Sequence, residues 1–212
     1  MNTEPGHRRT LNGSRKTARF IVAITTLMLA PALTAAEDNN RERHDYASWA
    51  VTVWTEDRSD GLSGVGLEGD MNAGEPGRFG FNGRFRLDLG SSSDNAINDD
   101  MLRVESGFGV NYHAADALLV YVAPGVNYHD FERATFGLAL EAGWRGVFGP
   151  RAEARAAVRN NFNSLVDEAS AEGSVRYWFG RGTTSPEFGI HIGLSHFLDS
   201  DVTRGFVGLA LR

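Results

Sequence analysis

The chain has 212 residues, is 42% hydrophobic and 23% charged, and carries 25 glycines, no cysteine and a formal net charge of −6. That length suits one domain or two small ones. Absence of cysteine excludes a disulfide framework, a thiol nucleophile and a thiolate metal site, and the acidic balance argues against nucleic acid, whose phosphates need a positive footprint.

The first segment reads as an address rather than as structure. Arg8, Arg9, Arg15, Lys16 and Arg19 precede an apolar run from Phe20 to Leu33, and Thr34-Ala35-Ala36 closes it with small residues. That order of charge, apolar core and small residues marks residues 1–36 as a secretory signal peptide. The apolar run is shorter than the roughly 20 residues a spanning helix needs. Its removal takes away five cations and one acid, leaving 16 arginines against 26 acids, a net charge of −10 and no lysine. Residues 37–45 (EDNNRERHD) form a polar periplasmic tail.

From Tyr46 onward the pattern is alternation with period two, broken by clusters of Gly, Asp, Asn, Ser and Pro. Phe79, Phe81, Phe85, Leu87 and Leu89 share one face, and Asn82, Arg84, Arg86 and Asp88 the other. Apolar residues three and four apart, the mark of an amphipathic helix, do not appear in these segments. The alternation predicts strands over 46–55, 62–72, 78–89, 101–113, 117–128, 134–147, 151–159, 170–179, 186–196 and 204–212. Connections 73–77, 114–116, 148–150 and 180–185 are mostly short. Those at 56–61, 90–100, 129–133, 160–169 and 197–203 include the longest and are rich in Asp. Short turns at one end and longer loops at the other describe a closed antiparallel transmembrane β-barrel over 46–212, of about ten strands with eight as the alternative. Strands of roughly 9–11 residues or more suit a tilted bilayer crossing, whereas sandwich strands run nearer 5–6. Periodicity alone does not choose between barrel and sandwich, since both alternate. Trp49, Phe79, Tyr112, Trp144 and Phe188 make one candidate aromatic girdle at the short-turn side. Phe108, Tyr128, Phe136 and Phe162 make another at the loop side.

The segments GVNYH and LLVYVAPGV within 109–126, FGLALEAGWRGVFGPRAEARAAV at 136–158 and the terminal GFVGLALR at 205–212 carry a resemblance. Through them the chain from Tyr46 to Arg212 resembles the small outer-membrane β-barrels of Gram-negative bacteria, of the OmpA-like and OmpX-like type. The resemblance implies location in the cell outer membrane and a role among anchors, adhesins and narrow pores. Such families usually end in an aromatic residue, where this chain ends in Arg212. GVNYH occurs twice, at 109–113 and 125–129, and the alternation sends Tyr112 and Tyr128 outward at opposite membrane faces.

Inward positions carry Arg84, Arg86, Asp88, Arg103, Glu105, Glu141, Arg145, Glu153, Arg155, Glu172 and Arg176, together with Glu68, Asp70, Arg151, Arg159 and Glu187: eight acids and eight arginines. Confined charges need partners, and arginine satisfies carboxylates through two parallel hydrogen bonds. The expectation is an ion-paired, largely closed lumen, since open aqueous channels belong to barrels of about 16–18 strands. The eight and eight cancel, which assigns the net charge to the five longer loops.

Inward His113, His129, His191, Ser174 and Ser195 supply the residue types of a Ser–His–acid site. His191 and Ser195 lie about 13 Å apart along one strand, too far for a hydrogen bond. The register places His191 across from Ser174 with Glu172 nearby. No phosphate-binding loop, HExxH or EF-hand loop occurs. The reading is therefore a non-enzymatic, monomeric barrel without a cofactor. Its role is structural or in surface interaction, and its partners are outer-membrane lipid and divalent cations at loop residues such as Asp94, Asp99, Asp100, Asp199 and Asp201. The alternatives are a narrow channel for small solutes, a lipid-modifying enzyme and a soluble periplasmic sandwich.

Overall fold

The computed structural model describes residues 46–58, 61–92, 100–130, 134–149, 151–162, 168–179 and 187–212. The signal peptide and tail expected over 1–45 lie outside the described residues, as do Asp94 and Asp99. Ten strands follow one another: β1 Tyr46–Glu56, β2 Ser63–Ala73, β3 Phe79–Ser91, β4 Asp100–Ala115, β5 Leu118–Asp130, β6 Ala134–Phe148, β7 Ala152–Phe162, β8 Glu168–Trp178, β9 Phe188–Phe197 and β10 Val202–Leu211. Each pairs antiparallel with the next. β1 also pairs with β10, from Trp49↔Leu211 to Glu56↔Arg204, which closes one barrel. Closure leaves no sheet edge unpaired, selects ten strands over eight, and removes the two-sheet sandwich. No helix among the described residues is long and apolar enough to cross a membrane.

The strands end within three residues of the sequence expectation, and the largest difference is informative. The Asn160-Asn161-Phe162 segment reads as loop, yet β7 runs on through it. Asn161 turns inward there and accepts hydrogen bonds from Asn127 at 3.0 Å and Arg159 at 3.0 Å. Paired side-chain amides let the ladder with β6 continue where turn-forming asparagines would otherwise end it. Connections after the even-numbered strands lie at one end of the barrel, the turn end, and those after the odd-numbered strands at the loop end. Gly149, with φ of 60°, makes the reversal between β6 and β7, a backbone state that costs glycine little.

The two faces of the wall have opposite character. Every strand exposes large apolar residues outward: Val51, Met71, Phe79, Phe108, Val122, Phe136, Val158, Tyr177, Ile192 and Leu209, one from each, with Phe79 77% and Leu209 70% exposed. Inward positions are polar, and Glu68, Asp88 and Arg204 have no exposed surface. Apolar side chains enter the lumen mainly in small groups. Trp54, Leu62, Met101 and Phe206 cluster toward the loop end, while Ala50, Trp178 and Ala210 cluster toward the turn end.

The aromatics are less evenly divided than expected. Trp49, Phe79, Tyr112 and Phe188 are exposed near the turn end, and the Phe79 and Tyr112 rings lie 5.2 Å apart. Trp144 is buried instead, packed with Leu118, Ala154 and Ala156, because the alanines beside it leave room for its ring to lie against the wall. Phe108 sits midway along β4, paired with Gly83, rather than at the loop side. Phe136 and Phe162 remain exposed near the loop end.

Candidate functional site

β3 and β8 stand opposite each other, five strands apart in either direction around the ring. Their inward side chains therefore meet across the lumen. Arg84 donates to Glu172 at 2.7 Å and Arg86 donates to its other oxygen at 2.9 Å. Arg155 from β7 adds a bond of 3.0 Å, and the Ser195 hydroxyl donates at 3.2 Å. Glu141 is a second hub. It accepts from Arg84 at 2.9 Å, from the Tyr121 hydroxyl at 2.9 Å, and from Arg155. Arg155 also donates to the Tyr121 oxygen at 2.8 Å, so the phenol passes the polarity of one group to the next.

Two arms leave this centre. Toward the loop end, Arg86 and Arg204 both donate to Asp88, at 3.0 and 2.5 Å, and Arg204 reaches Glu56 at 3.3 Å. The Arg204 guanidinium also lies over the Trp54 ring, 3.9 Å from its centroid, a favourable placement for a cation on a π face. Toward the turn end, Arg86 is 3.6 Å from Glu68, and Arg176 binds Asp70 and donates to Ser48 at 2.9 Å. Arg176 lies 3.7 Å from Glu153, which holds Arg145 at 2.5 Å. The ion pairs thus run without a break from Glu56 to Arg145. Taking each ion out of water costs several kcal/mol, repaid when the geometry is good and remaining lone pairs are met. Most carboxylates here meet two or more cations.

Ten of the eleven sequence-predicted lumen residues take part: Arg84, Arg86, Asp88, Glu105, Glu141, Arg145, Glu153, Arg155, Glu172 and Arg176. Arg103 does not make an ion pair; its guanidinium stacks over Phe197 at 4.9 Å. Arg151 lies in the turn before β7 rather than in a strand. Sequence reasoning missed Glu56 and Arg204, placed in a loop and at a strand end. Both are buried, and they pair with each other inside. The signal was present: Ser48, Ala50, Thr52, Trp54 and Glu56 are one alternating face of β1. Moving Glu56 inward takes one acid out of the longer loop sequences.

Among the described residues, the expected contact between His191 and Ser174 does not form. His191 faces Arg176 across β8–β9, not Ser174, which faces Gly193. Its Nδ1 is 3.6 Å from Glu68, and its ring meets Phe206 edge-on at 5.0 Å. Ser195, opposite Glu172, is bonded to that carboxylate. At the ends of the lumen, asparagine pairs add neutral bonds: Asn82 donates to Asn72 at 2.8 Å, and Asn127 donates to Asn161. The two GVNYH copies play matching parts, since Asn111 and Asn127 are both buried inward and donate to neighbouring strand carbonyls, Phe81 and Leu138. Among the described residues, no group of three or more His, Asp or Glu side chains is placed to hold a metal ion. Two described loop acids brace the backbone: Asp199 accepts from the Ala169 amide at 2.9 Å, and Asp57 accepts from that of Thr203.

Compared with known proteins, the chain matches no family model, and no curated protein matches it. The geometry alone identifies a closed ten-strand antiparallel barrel filled by buried salt bridges.

Proposed function

We propose that this barrel is an integral protein of the cell outer membrane, of the OmpA-like and OmpX-like kind, with a non-enzymatic structural or surface-interaction role. The observation that carries the reading is the inverted wall: large apolar side chains exposed on all ten strands around an interior of arginine–carboxylate pairs. In water so much contiguous exposed apolar surface would be a liability. Against hydrocarbon it is the face a spanning barrel requires, and closure satisfies every strand as lipid demands. The exposed aromatics toward the turn end suit the headgroup level. Cross-lumen pairs between diametrically opposed strands support a closed interior, so the protein acts as a rigid post that presents its longer loops. The Ser195–Glu172 and His191–Glu68 contacts support a structural rather than catalytic use of those side chains.

The test is fractionation followed by electrophoresis. The protein is expected in the membrane fraction, resistant to alkaline carbonate, and as a compact band that shifts on boiling. Recovery of folded protein in solution without detergent would overturn the membrane reading.

A further inference from the structure

We propose that the loop-side mouth of the lumen binds a small oxyanion, a carboxylate or phosphate group, through Arg103 together with His129 and Arg159. Arg103 on β4 and His129 on β5 are paired positions of adjacent strands, and both face the lumen. They are half-buried where Arg86 and Arg204 are buried, so they stand within reach of solvent. Arg103 Nε and Arg159 Nη2 lack a hydrogen-bond partner, and His129 Nε2 has only the long contact to Glu105, at 3.6 Å. Buried polar groups are nearly always satisfied, and what sets this place apart from the rest of the lumen is that its unpaired arginine is half-buried rather than buried.

Carboxylate is in short supply there. Glu105 is shared by Arg159, at 3.4 Å, and His129, at 3.6 Å. Asp88, which pairs in register with Arg103, is already held by Arg86 and Arg204. Among the described strand arginines, Arg103 alone makes no ion pair. Its guanidinium lies over Phe197, so the ring covers one face, and Nε on its edge has no hydrogen-bond partner. An arginine so oriented takes an oxyanion through two parallel bonds. Exposed Asp57, Asp199 and Asp201 oppose an approaching anion, but that field falls away within about 8 Å at physiological ionic strength. The site does not rest on the membrane reading; a barrel that proved soluble would still present it.

The test uses the protein purified as cells hold it, with nitrogen-15 in arginine and histidine. It is titrated with sodium acetate, sodium phosphate and, at matched ionic strength, sodium chloride. The Arg103 Nε resonance is assigned by its loss in Arg103→Lys. Acetate or phosphate is expected to move it saturably, and chloride is not. Followed at the His129 ring, Arg103→Gln should weaken binding roughly ten- to a hundredfold, the range for a charge-assisted hydrogen bond. Arg103→Lys keeps the charge without the fork and should bind severalfold more weakly at an unchanged unfolding midpoint; it carries the comparison if Arg103→Gln does not fold. Saturation by acetate alone identifies a carboxylate ligand, and by phosphate alone a phosphate-bearing one. No saturation by either anion, or a variant that binds as tightly as the natural protein, would overturn the proposal and leave water as the acceptor.

Discussion

Replacing Glu172 by glutamine isolates what burial does to an ion pair. Glu172 is 10% exposed and binds Arg84, Arg86 and Arg155, whose side chains are 4–9% exposed. Glutamine keeps the shape and one acceptor but removes the charge. Two unit charges 4 Å apart attract by about 4 kcal/mol at an effective dielectric near 20, against about 1 kcal/mol in water. Removing one partner of a buried pair costs about 3–5 kcal/mol, because the other charge is left uncompensated. Here each cation keeps a second carboxylate: Arg84 and Arg155 retain Glu141, and Arg86 retains Asp88. The loss is therefore set at the lower end, about 3 kcal/mol. The control has nearly the same geometry on the surface: Arg78 and Glu75 are 2.8 Å apart in the β2–β3 turn and about 70% exposed. Glu75→Gln should cost less than about 1 kcal/mol, and that small effect should vanish in high salt. Both variants are unfolded in denaturant with the folded fraction read from band mobility. If the two midpoints move equally, the lumen network is not the stabilising element argued for above.

Three further outcomes follow from the geometry. Val51 is 61% exposed at the middle of β1, so Val51→Arg should destabilise by about 2–4 kcal/mol if that face meets the bilayer midplane and by almost nothing if it meets water; equilibrium unfolding decides. A Cβ at Gly64 would collide with the Leu89 carbonyl and the Trp54 ring, whereas one at Gly205 would touch nothing closer than Leu194 at 3.6 Å. Gly64→Ala should therefore cost about 1–3 kcal/mol by overpacking, and Gly205→Ala should stay within about 0.5 kcal/mol. Finally, the purified barrel in a planar bilayer is expected to pass no current above leak; discrete conductance steps would favour the narrow channel instead.

Much of the wall was legible in residue order. The alternation through Phe79–Leu89 and Ala134–Trp144 determined which residues share a face, because successive strand side chains point to opposite sides. It also placed the strand ends to within three residues and a charged set on one face, while the choice of ten strands over eight came with closure. What alternation does not contain is which face turns inward and which strands meet across the space. Arg84 and Glu172 are 88 residues apart and become partners only when β1 closes on β10 and sets β3 opposite β8. The pairing of Glu56 with Arg204 depends on the same closure, as the last register position of β1 and β10. Arg103 is the clearest case. It alternates inward like its paired neighbours, and it makes no ion pair because Asp88 is held by Arg86 and Arg204 and Glu105 by Arg159 and His129. A local pattern determines orientation relative to the strand. Which carboxylate serves which guanidinium is settled by distances across the lumen, which exist only once the sheet has closed.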